Sequence, residues 1–150
     1  MKLAIDYSKP IEKRSLSYLV DEYSFYMNPL AFKVDFELAL NKIALLVTDG
    51  QVVHLSGFSG YNEWQPFSAL VPDCRRGVLL VHFANYQRGV SYNLAEDVST
   101  FVNMNTGWIC IGDHKRKGEC AEFITGCRVV LEGGKLASLW LKPDALPNIE

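Results

Sequence analysis

The stretch from Cys127 to Pro143, CRVVLEGGKLASLWLKP, narrows most sharply what this chain can fold into. Two runs rich in Val, Leu and Trp flank Gly133-Gly134, a pair that accepts the positive φ angles a two-residue hairpin turn demands. Such a turn sets Glu132 opposite Lys135, Leu131 opposite Leu136, Val130 opposite Ala137 and Cys127 opposite Trp140. Charges then pair beside the turn and apolar groups pair deeper in. Both faces are largely apolar away from the turn, which predicts strands in the middle of a covered sheet rather than at a wet edge.

Other segments carry strand patterns of their own. Lys2 to Tyr7 predicts a short opening strand. Val34 to Leu40 alternates, with Val34, Phe36, Leu38 and Leu40 on one side and the carboxylates Asp35 and Glu37 on a solvated one. Ile43–Val47 and Val52–Leu55 flank Asp49-Gly50, a strong hairpin signal, and a plain register sets Leu46 opposite Val53, Ala44 opposite Leu55 and Leu45 opposite His54. Val78 to Phe83 and Gly107 to Gly112 read as buried strands. From Glu12 to Met27 the spacing of Leu16, Leu19, Val20, Tyr23 and Met27 is that of one helix face ended by Pro29, although the aromatic and Ser content also suits a strand. Asn93 with Glu96 forms a capping-box pattern ahead of Leu94, Val98, Phe101 and Val102, which predicts a second short helix. Glu119 to Ile124 reads as either a helical turn or a strand. The expected architecture is α+β, a single domain over residues 1–150, mainly antiparallel sheet built from hairpins with one or two short helices. A length of 150 residues suits one such domain.

No apolar run approaches the ~20 residues needed to span a bilayer. The start, MKLAIDYSKP, lacks the apolar core of a secretion signal, so a cytoplasmic protein is expected. Cys74, Cys110, Cys120 and Cys127 are then expected to be reduced thiols. The net charge of −2 argues against direct nucleic-acid binding. It leaves room for a local acidic patch that meets a basic protein.

Residues 57–67 form a loop by their Gly, Ser, Asn and Pro content, yet hold Phe58, Tyr61, Trp64 and Phe67. Rings there serve either as binding anchors or as plugs over a sheet edge. Among catalytic constellations, His114 can approach Cys110 or Cys120, but no nucleophile motif surrounds them. His54 and His82 fall within strand patterns and read as structural. Asp35 with Glu37 puts two carboxylates on one strand face, for which solvation is the simpler account. Cys110, His114, Cys120 and Cys127 match no paired metal-ligand spacing, and no phosphate-cradling glycine loop occurs, so no metal and no cofactor are expected.

The segments Asn105-Thr106-Gly107-Trp108-Ile109-Cys110-Ile111-Gly112-Asp113 and Gly134-Lys135-Leu136-Ala137-Ser138-Leu139-Trp140-Leu141-Lys142-Pro143 resemble small immunity proteins of bacterial contact-dependent growth inhibition and other polymorphic toxin systems. The resemblance covers about the last third of the chain. It implies a non-enzymatic protein that binds the C-terminal domain of one cognate toxin, often a nuclease, and covers its active site or substrate entry. Basic nuclease surfaces favour acidic partners. The residues expected to meet such a partner are Asp21, Glu22, Asp35, Glu37, Glu63, Glu96, Asp97 and Asp113, with Tyr61 and Trp64 as aromatic anchors. The rival expectation is a small enzyme or ligand-binding domain that uses Cys110 and His114 or the 57–67 loop, and a third is an oligomerising structural domain.

Overall fold

The computed structural model describes residues 1–31 and 33–148. The first strands in chain order are β1 (Lys2–Asp6), β2 (Ser15–Leu19), β3 (Ser24–Asn28), β4 (Phe36–Leu40), β5 (Ile43–Thr48) and β6 (Gln51–Phe58). Two short strands follow, β7 (Gln65–Pro66) and β8 (Arg75–Arg76), and then β9 (Val78–His82), β10 (Ser91–Ala95) and β11 (Thr100–Val102). The chain ends in β12 (Ile109–Gly112), β13 (Glu119–Ile124), β14 (Cys127–Glu132) and β15 (Lys135–Leu141).

Strands make up 51% of the structure and helical turns 4%, so the expected α+β class with one or two short helices is corrected to a mainly β fold. The helical residues are the 3₁₀ turns Val20–Glu22 and Tyr61–Glu63. Residues 12–27 do not form a helix because two alternating patterns meet there. Leu16 and Tyr18 are buried on β2, and Phe25 and Met27 on β3, while Leu19, Val20 and Tyr23 are exposed around the turn between them. The 3.6-residue spacing arose from joining two arms of a hairpin. Residues 93–102 likewise fail to form a helix, although Asn93 Nδ2 does donate to Glu96 Oε1 at 2.8 Å. The open edges of β4 and β12 give β10 and β11 inter-strand hydrogen bonds that outweigh the local helix signal.

Both hairpin turns fall where the sequence puts them. Gly133 and Gly134 have φ of 60° and 79°, and Asp49 and Gly50 have φ of 51° and 74°, the left-handed pair such turns require. Each hairpin then carries a bulge that shifts the deeper register by one residue. Glu132 pairs with Lys135 and Leu131 with Leu136 as expected, but Val130 pairs with Ser138 and Cys127 with Leu141. Past Asp49-Gly50, Leu46 faces His54, Leu45 faces Leu55 and Ala44 faces Ser56. A bulge of this kind flips the faces beyond it. Here it turns Leu45 and Leu55 together into the core, where both are fully buried.

The first sheet has the order β1-β9-β6-β5-β4-β10, and the second β7-β11-β12-β15-β14-β13-β8. Pairing is antiparallel except for β10–β4, β11–β7 and β13–β8. One apolar core joins the sheets, with Leu38, Leu45, Leu55 and Leu79 from the first and Ile109, Phe123, Val129 and Leu139 from the second. Each such side chain contributes about 1.5–3 kcal/mol by leaving water. The free edge of β6 is shared: Gln51 pairs with Leu80 of β9, and Gly57 and Phe58 pair with Phe25 and Ser24 of β3. Arg14 fills the fork between these neighbours, donating from Nε to Val53 O at 2.7 Å and from Nη1 to Pro29 O.

The outer face of the second sheet is apolar too, with Trp108, Cys110, Val130, Ala137 and Trp140 in one cluster. It is covered by a strap, residues 67–74, whose Phe67, Ala69 and Val71 lie on that cluster. The strap must cross the whole face, because β7 pairs at one edge of the sheet and β8 at the other. Asn103 Nδ2 donates to Ala69 O at 3.3 Å and Arg128 Nη1 to Pro72 O at 2.7 Å, tying the strap down along its length.

Candidate functional site

A cleft of about 1050 Å³ opens where the β2–β3 turn, the β4–β5 turn, the end of β6 and the segment after β10 converge. Backbone bonds assemble it. Ser59 N donates to Tyr23 O at 2.8 Å, Phe58 N to Lys42 O at 3.0 Å and Asn41 N to Ala95 O at 2.9 Å. The Asn41 amide clamps the opposite wall, with Nδ2 on Val98 O and Oδ1 receiving Val98 N, both at 2.9 Å. That clamp presents Glu96 and Asp97 to solvent. Tyr23, Asn41 and Asp97 line the cleft and adopt left-handed backbone with φ of 53°, 53° and 56°. Such conformations are uncommon outside glycine, least costly for Asn and Asp and most so for Tyr.

The aromatic loop divides, with Trp64 plugging the core and Phe58 left open to solvent. Trp64 turns inward, 8% exposed, and its Nε1 donates to Ser59 Oγ at 2.8 Å. It lies near Tyr18 and stacks on Phe25. The Tyr18 hydroxyl donates to Ser59 O and accepts from Tyr61 N at 3.2 Å, bolting the loop to β2. Burial pushes that phenol up to about 12, so it stays a neutral donor. Phe58, by contrast, is 59% exposed at the cleft wall, and Tyr23 is 46% exposed with its ring stacked on Tyr61 at 5.5 Å.

Of the residues expected to meet a partner, Glu63, Trp64, Glu96 and Asp97 line this cleft. Tyr61 supports it through Tyr23, and exposed Asp21 and Glu22 stand in the adjoining turn. Trp64 is a wall of the cleft rather than a free anchor, being nearly all in the core. The remaining acids lie elsewhere. Asp35 is not on a solvated strand face: it is 3% exposed, with Oδ2 accepting from Asp49 N at 2.8 Å and Oδ1 3.5 Å from Arg88 Nη2. It precedes β4 and braces the Asp49-Gly50 turn. Glu37 is half-buried on β4 between Leu46 and Ser91. Asp113 caps its own turn, its Oδ1 accepting from Lys115 N at 3.0 Å.

Tyr23 and Asn41 are cleft residues that pattern reading did not offer for a site, whereas Phe58 belongs to the aromatic loop it named. Asn41-Lys42, two residues between alternating runs, was the available signal for a turn. Tyr23 was hidden by the false helical spacing. The thiol and imidazole of the rival reading do not make a nucleophile pair. Cys110 is fully buried, which pushes its thiol up to about 12, and His114 packs edge-on to Phe67 and Phe101 with no hydrogen bond to Cys110. Among the described residues no group of three His, Cys, Asp or Glu is arranged to hold a metal ion. No helix among them is long and apolar enough to cross a membrane.

A second, smaller cleft of about 500 Å³ lies at the open end of the same β2–β3 hairpin and is lined by Lys13, Arg14 and Arg76. The two ends of one hairpin therefore carry opposite charge. No family model, curated protein or solved structure matches the chain.

Proposed function

We propose that this is an immunity-type inhibitor that captures a basic toxin domain through the cleft at the β2–β3 turn. The observation that carries the reading is the grouping of Asp21, Glu22, Glu63, Glu96 and Asp97 around exposed Tyr23 and Phe58, with Lys42 as the single cation in the lining. Exposed rings at the centre of a charged rim suit a protein interface, the rings supplying contact area and the rim steering encounter. Such a protein acts by covering the nuclease active site or substrate entry in the cytoplasm, without touching nucleic acid and without chemistry of its own. The strained backbone at Tyr23 fits this role, since strain is retained where a side chain must be presented.

The test is co-expression with the domain encoded directly upstream of this chain. Wild-type protein is expected to restore growth, and the triple variant Glu63→Lys, Glu96→Lys, Asp97→Lys to lose protection while keeping its circular dichroism spectrum. Full protection by that variant, or none by the wild type, defeats the reading. A second reading is favoured by the lining, in which Glu63, Glu96 and Asp97 share the cleft with exposed Tyr23 and Phe58, groups that attract a small cation. Here the 57–67 loop forms one wall around a compact organic cation, and calorimetry with alkylammonium probes separates the two.

A further inference from the structure

Two thiols meet where the strap lands on the second sheet. β8 runs parallel to β13 with Arg75 opposite Ala121 and Arg76 opposite Glu122. Stepping that register back by one residue sets Cys74 opposite Cys120. Neighbouring strands lie about 4.8 Å apart, within the roughly 4.4–6.8 Å of Cα separation that a disulfide spans. The side chains also share their surroundings: Cys74 Sγ donates to Pro72 O and Cys120 Sγ to Asp73 O, each at 3.4 Å, carbonyls of successive strap residues. Both thiols are free and half-buried, whereas Cys110 and Cys127 are sealed in the interior. Burial, and then the hydrogen bond with Cys120, push the Cys74 thiol up to about 12, so Cys74 holds its proton at neutral pH and does not react first.

We propose that Cys74 and Cys120 form a redox site that takes a two-electron oxidant of the peroxide class and closes to a disulfide, fastening the strap across the outer face of the second sheet. The Cys120 thiolate attacks one peroxide oxygen, the O–O bond breaks, and the departing oxygen leaves as hydroxide to become water. Cys74 then gives up its proton and attacks the resulting sulfenic sulfur; the S–S bond forms as the S–O bond breaks and a second water leaves. Two thiols have lost two electrons and two protons, and the peroxide has become two waters. A dithiol reductant reopens the bond. In a reducing compartment the strap is held by packing and by hydrogen bonds that include those from Asn103, Arg128 and the Cys120 thiol, with no covalent tie. Oxidation adds a covalent anchor at the β8 end. The inference rests on the strap alone and stands whether or not the cleft docks a toxin.

The full chain, reduced and then exposed to hydrogen peroxide, tests this. The monomer is expected to lose the mass of two hydrogen atoms, and proteolytic mapping to link the Cys74 peptide to the Cys120 peptide. The oxidised protein should melt about 5–10 °C above the reduced one, and amide exchange over residues 67–74 should slow. Cys74→Ser and Cys120→Ser should each abolish the mass loss and the rise in Tm, with reduced-state Tm confirming that the variants fold. In Cys74→Ser, a dimedone adduct should trap the Cys120 sulfenic acid. Cross-links confined to other cysteines or to dimers, the same Tm rise in either variant, or oxidation to sulfinic acid without a link would each overturn it.

Discussion

His54 sits on β6 at 3% exposure, and neither ring nitrogen has a hydrogen-bond partner among the described residues. Burial holds its pKa below the usual value; the neighbouring Met27 backbone opposes the shift without forming a bond, and the Arg14 charge adds to it. The native state therefore refuses a proton that the unfolded chain accepts. The stability this contributes is complete above about pH 6.5 and is lost as the pH falls from there toward the depressed native value. Tm measured from pH 7.5 down to 5.5 is expected to decline in the wild type. His54→Leu should flatten the decline, and an undiminished slope in that variant would remove His54 as the cause. At this scale Asp35 shows why sequence misled. Alternation placed it on a wet face, but the turn it braces folds back over it, and only a tertiary partner, Arg88, reveals that its carboxylate is enclosed.

Gly57 is the tightest point among the elements that build the cleft. Its φ of 140° belongs to glycine, and a Cβ there would fall 2.2 Å from Lys42 O and 2.8 Å from the Ile43 Cα, both backbone atoms that cannot give way. Gly57→Ala is expected to cost more than about 3 kcal/mol. Gly133→Ala, at φ of 60° with nothing near the new methyl, should cost about 1 kcal/mol. Urea titrations of the two variants decide the matter, and equal losses would place the cleft walls further apart than described. Turns were legible at this scale and registers only near them. Gly133-Gly134 and Asp49-Gly50 announce their turns by composition, but each bulge is chosen by which side chains the opposing sheet will accept.

Across the whole molecule the charges separate along one hairpin, carboxylates around the cleft at its turn and Lys13, Arg14 and Arg76 at its open end. A net charge of −2 conceals this. On the proposed immunity reading, association with a basic toxin domain should therefore slow at least about tenfold between roughly 0.05 and 0.5 M salt, with dissociation little changed. Stopped-flow rates that ignore salt would exclude steering by the acidic rim. The sequence by itself determined that the chain is rich in strands, where two of its turns fall, and that residues 127–143 are covered on both faces, because alternation and turn chemistry act between near neighbours. Only the tertiary structure decided that residues 12–27 and 93–102 extend rather than coil, that a strap supplies the second cover, and that Glu63, Glu96 and Asp97 share a cleft with Tyr23. Those outcomes depend on hydrogen-bonding edges and side chains brought together from distant parts of the chain, and no local pattern records them.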